Sequence, residues 1–155
     1  MVTSQLLIFG AMGIGTTVVA FVMNRRLFGS VVGRVTFLET LFYFVGLCSL
    51  GLGWYFNVRY THLYGHRANY WAYTKLLFTN WAADSAAQDY IIVNLVLFPI
   101  WSIVDGRRRG IRIPFIFFIM SLFTSLAFAV AMFLAFTERQ NRYNEATSSS
   151  HATTR

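Results

Sequence analysis

Few side chains in this sequence could do chemistry, and two acids come first. Asp89 stands at the mouth of an apolar stretch that holds Asn94 five residues on. An acid at a membrane helix is costly to bury without a partner, which makes it a functional suspect. Lys75, Arg59 and Arg67 are the cations that could pair with it. The plainer reading is a hydrated acid at a helix start, where the helix dipole favours negative charge. Glu39 poses the same question in the first turn of another apolar block. A buried Glu could carry protons or bind a cation, but a place beside Arg34 and close to water favours a helix-start acid. His62 and His66 have a helical ligand spacing, yet Gly65 and the surrounding tyrosines weaken any helix there. A zinc site needs a third ligand, and no His-Glu-x-x-His pattern occurs, so no metal is expected. No Ser-His-Asp set or glycine-rich phosphate loop is present, and no cofactor is expected. Asp89 and Glu39 remain as weak catalytic candidates.

The elements that must position these groups are apolar. Of 155 residues, 56% are hydrophobic and only 12% charged. A soluble domain carries about 25% charged residues. The apolar residues also cluster in blocks, which points to the membrane. The net charge of +7 invites a nucleic-acid reading. That reading fails, because the arginines sit at the ends of apolar blocks rather than on a free basic face. Cys48 is the only cysteine, so no intrachain disulfide can form.

Four spans are expected, at about 4–24, 36–58, 86–104 and 113–136, in a small all-α bundle. The first is followed, not preceded, by Arg25 and Arg26, which favours a retained helix over a cleaved signal. Ala11 with Gly15, and Ser49 with Gly53, are small-xxx-small pairs that would let another helix approach closely. Residues 57–88 are rich in Tyr and Trp, and an interfacial helix over 70–81 fits them. The third span carries Pro99, which removes a backbone donor and should kink the helix. Residues 137–155 are polar and low in complexity, and are expected to form a disordered tail.

Four spans set the orientation. Arg25, Arg26, Arg34, Arg107, Arg108, Arg109 and Arg112 would share one side. Arg59, Arg67, Lys75, Arg139, Arg142 and Arg155 would share the other. The totals are close, but the first group is packed into short loops, and short loops decide orientation. These loops are expected in the cytoplasm, with both termini outside the plasma membrane. Arg25, Arg26, Arg107, Arg108 and Arg109 then serve orientation and headgroup contact.

Residues 80–139 carry a further pattern. Asn80 and Asp89 are nine apart, Asp105-Gly106-Arg107-Arg108 closes an apolar helix with Gly110 following, and Phe133-Leu134 and Glu138-Arg139 close the next. This resembles an uncharacterised bacterial membrane-protein family, domain of unknown function 2834, over residues 37–139. Trp81, Asp105 and Ala131 depart from the family's usual Pro, Glu and Pro. The resemblance implies the helical membrane architecture and no activity.

The leading expectation is a non-enzymatic accessory or scaffolding subunit, packed in the bilayer against another membrane protein or itself. One alternative is an enzyme acting on a lipid or isoprenoid through Asp89. The other is a small proton-coupled transporter using Glu39.

Overall fold

The structure is a computed structural model that describes residues 4–153. Helix α1 (Ser4–Met23) takes up the uncharged run from Leu6. It stops at Asn24, where two short 3-10 turns lead through residues 25–32. Helix α2 (Phe37–Tyr64) begins at Thr36, whose hydroxyl oxygen accepts the Glu39 N–H at 3.2 Å. This N-cap satisfies one of the orphan donors of the first turn. The helix runs past residue 58, because residues 57–64 hold neither Gly nor Pro to stop it. It ends at Gly65, whose φ of 51° suits only a residue without a Cβ.

Asn69 caps the short helix α3 (Tyr70–Leu76), and Asn80 caps α4 (Trp81–Ile92). From α4 the chain stays helical through a π segment (Val93–Leu97) and α5 (Phe98–Arg109). The effect of Pro99 is visible just before it. The helix widens to π geometry, with Phe98 N–H bonded to Val93 O. A π turn is a familiar way for a helix to absorb a local misfit. The whole helix, Trp81–Arg109, has 29 residues. That is about 43 Å at 1.5 Å per residue, ample for a ~30 Å hydrocarbon core. It ends in a Schellman turn: Gly110 is left-handed, and the N–H groups of Gly110 and Ile111 return to Arg107 O and Gly106 O.

The last apolar block departs from expectation. Residues 113–136 do not form the one continuous helix that a fourth span would need. They fold into a hairpin of α6 (Ile116–Phe123) and α7 (Leu126–Thr153). The physical reason is the polar pair at its middle. The Thr124 hydroxyl donates to Met120 O at 2.7 Å and closes α6. Ser125 accepts the Phe128 N–H at 3.1 Å and opens α7. Two helix ends are thus satisfied in the interior by their own side chains. Close approach also needs Gly13 on α1. A Cβ there would lie 3.1 Å from Phe123 O and 2.8 Å from Thr124 Cγ2. Helix α7 then doubles back. Gly46 of α2 touches Ala131 and Phe128, and further along α7 Arg139 meets Glu39 at the start of α2.

The expected disordered tail is likewise corrected. Residues 137–153 continue α7 without a break, with Arg139 and Gln140 buried. Residues 154 and 155 of that tail lie outside the described residues. The hairpin also places the start of α1 and the last turns of α7 at opposite ends of the bundle, where four spans would put them at the same end. Leu6 lies with Trp54 and Tyr60, whereas Arg139 and Asn144 lie against the loops after α1 and α5.

The core lies between the hairpin and the three long helices. Phe117 stands edge-on to Phe133 and Phe136, and Phe98 to Phe133, with ring centroids 5.2–6.3 Å apart. Such edge-to-face pairs add about 0.5–1.5 kcal/mol each beyond area burial.

Candidate functional site

Glu39 is fully buried. The Thr36 cap fixes the first turn of α2, and that turn aims the carboxylate at α7. Arg139 and Arg142 are three apart on α7 and share one face. Arg139 Nε donates to Glu39 Oε1, and Arg142 Nη2 donates to Oε2. Each guanidinium also donates from Nη1 to backbone carbonyls in the loop between α1 and α2, while Arg142 Nε makes no hydrogen bond and lies 3.7 Å from the Glu138 carboxylate. Arg139 donates to Leu27 O at 2.7 Å; Arg142 donates to Arg34 O at 2.8 Å and to Val32 O at 3.2 Å. The Arg139 guanidinium also lies 4.5 Å from the Phe28 ring centre, a cation–π contact.

The cluster has two cations, one fully buried anion in Glu39 and a second, partly exposed anion in Glu138 beside Arg142, and three carbonyl oxygens take further guanidinium hydrogens. A buried ion pair is tolerable only when its remaining hydrogen-bonding capacity is met. Here the carboxylate is held from both oxygens. It can clamp α7 to α2 and to the loop, and the two guanidinium charges already on it oppose the binding of a further cation. Glu39 therefore is a helix-start acid, as expected, but not one close to water. The expected neighbour Arg34 is exposed and supplies its carbonyl instead of its charge.

Three further ties close the same end. The Asn24 amide donates to Arg112 O at 3.0 Å and accepts the Arg112 N–H at 2.8 Å. Arg26 donates to Gly110 O at 2.6 Å and Gln140 Oε1 at 3.3 Å, and lies over the Tyr143 ring. Arg109 pairs with Asp105 at 2.7 Å and donates to Asn141 at 2.9 Å. Of the five orientation arginines, Arg26 and Arg109 are thus engaged within the chain, while Arg25, Arg107 and Arg108 are exposed.

Asp89 lies elsewhere. It is exposed and accepts from its neighbour Gln88 at 2.6 Å. Among the described residues no ion pair joins it to Lys75, Arg59 or Arg67. Asn94 is buried and is not part of one site with Asp89. It accepts from the Ser121 hydroxyl at 2.7 Å and donates to Tyr90 Oη at 3.2 Å, tying the π segment to α6. His62 and His66 are exposed, and no group of three metal-ligating side chains occurs among the described residues.

The small-residue pairs fare differently. Ser49 meets Ser125 hydroxyl to hydroxyl at 2.9 Å, and Gly53 faces Ser125. Ala11 and Gly15 are exposed, with nothing within 4 Å of a Cβ at Gly15. The contact face of α1 is instead Gly10 and Gly13, which meet Trp54 and the hairpin bend. Cys48 is exposed on α2.

Sequence reasoning did not find Arg139, Arg142 and Asn24 as site residues. A partner 100 positions away leaves no mark in local spacing. The one available signal was Thr124-Ser125 in the midst of an apolar run, a ready stop and cap.

Three helices long and apolar enough to cross a bilayer, with a buried ion-pair cluster at one end, define an all-α protein of the membrane class. Residues 41–139 match the family described as "protein of unknown function DUF2834", and the chain belongs to that family. The matched segment holds the hairpin and Arg139, while Glu39 and Arg142 fall just beyond its ends. No curated protein and no solved structure matches the chain.

Proposed function

We propose that this chain is a three-span accessory or scaffolding subunit of a plasma-membrane complex, packing against another membrane protein or a second copy. The observation that carries this reading is the anchoring of α7. The buried charges are spent on holding that helix, through Glu39 with Arg139 and Arg142. Its polar last turns, with Asn144, Glu145, Ser148 and Ser149 exposed, continue beyond those ties. A rigid polar helix on an apolar base is a handle for a partner, not a catalytic centre. The transporter reading weakens because Glu39 has both oxygens occupied. The enzyme reading weakens because Asp89 sits on the surface with only Gln88 as its partner.

In this reading α6 and α7 form a re-entrant hairpin, and α3 lies at the opposite interface with Trp71 and Phe78 exposed. The arginine loops and the end of α7 share the cytoplasmic side. The charge bias supports this strongly. Arg139 and Arg142 join the seven loop arginines, making nine of the chain's thirteen positive residues; Arg59, Arg67 and Lys75 stand opposite, and Arg155 lies outside the described residues. Positives concentrated near span ends face the cytoplasm.

Two experiments test the proposal. With Cys48→Ala as background, a membrane-impermeant maleimide should treat Ser149→Cys and Arg108→Cys alike and Arg67→Cys oppositely. If Ser149→Cys labels with Arg67→Cys, α7 crosses the membrane and the hairpin reading fails. Purification in mild detergent should retain a partner subunit or a homo-oligomer. A strictly monomeric, partner-free protein would overturn the accessory role.

A further inference from the structure

Because α6 turns back at Thr124, the hairpin occupies only one end of the bundle. Beyond its tip lies a cavity of about 170 Å³. Residues 121–124 floor it, and α1, α2, α3, α4 and the segment before α3 line its sides. Three features of its lining define a ligand.

The first is charge. No Asp, Glu, Lys, Arg or His lines the cavity. A charged head placed there would lose water without gaining a counter-ion, so the ligand is neutral. The second is size. A cavity of ~150 Å³ takes one benzene ring. The space therefore fits one six-membered ring, and anything larger must lead out of it.

The third is hydrogen-bond polarity. Four hydroxyls in the lining have already given their protons to the protein. Tyr60 donates to Asn69 O, Thr61 to Val58 O, Thr124 to Met120 O, and Ser121 to Asn94 Oδ1 or Phe118 O. Each hydroxyl carries a single hydrogen, so these oxygens can now only accept. Beside them the Asn57 amide and the Tyr73 hydroxyl make no hydrogen bond within the described residues, and each can both donate and accept. A lining of four acceptors with donors among them calls for a ligand whose polar groups both donate and accept, as hydroxyls do. A quinone-type head, with carbonyl oxygens alone, would leave those four acceptors without a donor. Trp54 and Tyr73 supply flat aromatic walls. The indole of Trp54 is seated against α1 where Gly10 has no side chain; a Cβ there would come within 2.6 Å of the ring. Aromatic faces suit the C–H faces of a sugar ring.

We propose that this cavity binds a pyranose, an uncharged hydroxyl-rich ring, as the head of a glycolipid or as a free sugar. The probe is n-octyl β-D-glucopyranoside, below its critical micelle concentration, added to the full chain in nanodiscs. Binding is read by tryptophan fluorescence and by the melting temperature. Saturable binding is expected, with octanol and a decyl benzoquinone failing to compete. Asn57→Ala should raise Kd about tenfold, the loss of one well-made hydrogen bond, with the helical circular dichroism intact. Should Asn57→Ala fail to fold, Tyr73→Phe at an exposed position provides the same reading. Competition by glucose assigns the site to free sugar, and its absence to a glycolipid. The proposal is overturned if the glucoside binds no better than octanol, if the quinone displaces it, or if the folded variants keep the parent affinity.

Discussion

The two ends of this bundle use polar residues in opposite ways. At the arginine end, charges and amides are turned inward and spent on one another. Glu39, Arg139, Arg142, Asn24, Arg26 and Arg109 bind two loops and α7 into one body. At the aromatic end the polar groups line open space. Tyr60, Thr61 and Asn57 face a cavity, Asp89 and Trp81 face outward, and the tertiary hydrogen bonds thin out. The hairpin causes the difference. It adds a fourth and a fifth helix to one half of the thickness and none to the other. Lipid is as apolar as a leucine side chain, so helices in a membrane gain no hydrophobic drive toward each other. Packing and polar ties must hold them, and this chain concentrates both where the hairpin is.

The comparison breaks most sharply at Glu39. Glu39→Gln leaves the buried Arg139 without its anion and Arg142 with only Glu138, at 3.7 Å. Loss of one partner of a buried pair costs about 3–5 kcal/mol. The expected outcome is a collapse of protein level in the membrane and of the melting temperature in detergent. A stable Glu39→Gln variant with impaired proton flux would instead revive the transporter. Ser125→Ala is the middle case. It removes the cap of α7 and the Ser49 contact, and should cost about 1 kcal/mol, seen as a lower melting temperature with the helical signal retained. Asp89→Asn is the smallest. At an exposed position with only Gln88 beside it, it should alter neither melting nor protein level, and a lost lipid-modifying turnover would overturn the reading of that end.

Much of the fold was legible from residue order alone. The three long helices follow from length and hydropathy, although the third, expected at 86–104, starts already at Trp81 behind its Asn80 cap, and the helix expected over 70–81 ends at Leu76. The family likeness, matched over residues 41–139, was legible too, in short motifs such as Asp105-Gly106-Arg107-Arg108. The fate of residues 113–136 was not. Twenty-four uncharged residues satisfy a hydropathy window whether they cross or turn back, and Thr124-Ser125 is too mild a break to outweigh them.

Apolar content and its spacing are local properties, and they determined by themselves that this chain is helical and belongs in a bilayer. Which end of α7 meets which end of α2 is a matter of distance in space. Only the tertiary structure decided that a carboxylate at position 39 and two guanidinium groups a hundred residues later share one buried site. Coulomb attraction acts between atoms brought close, and nothing in their order along the chain brings them there.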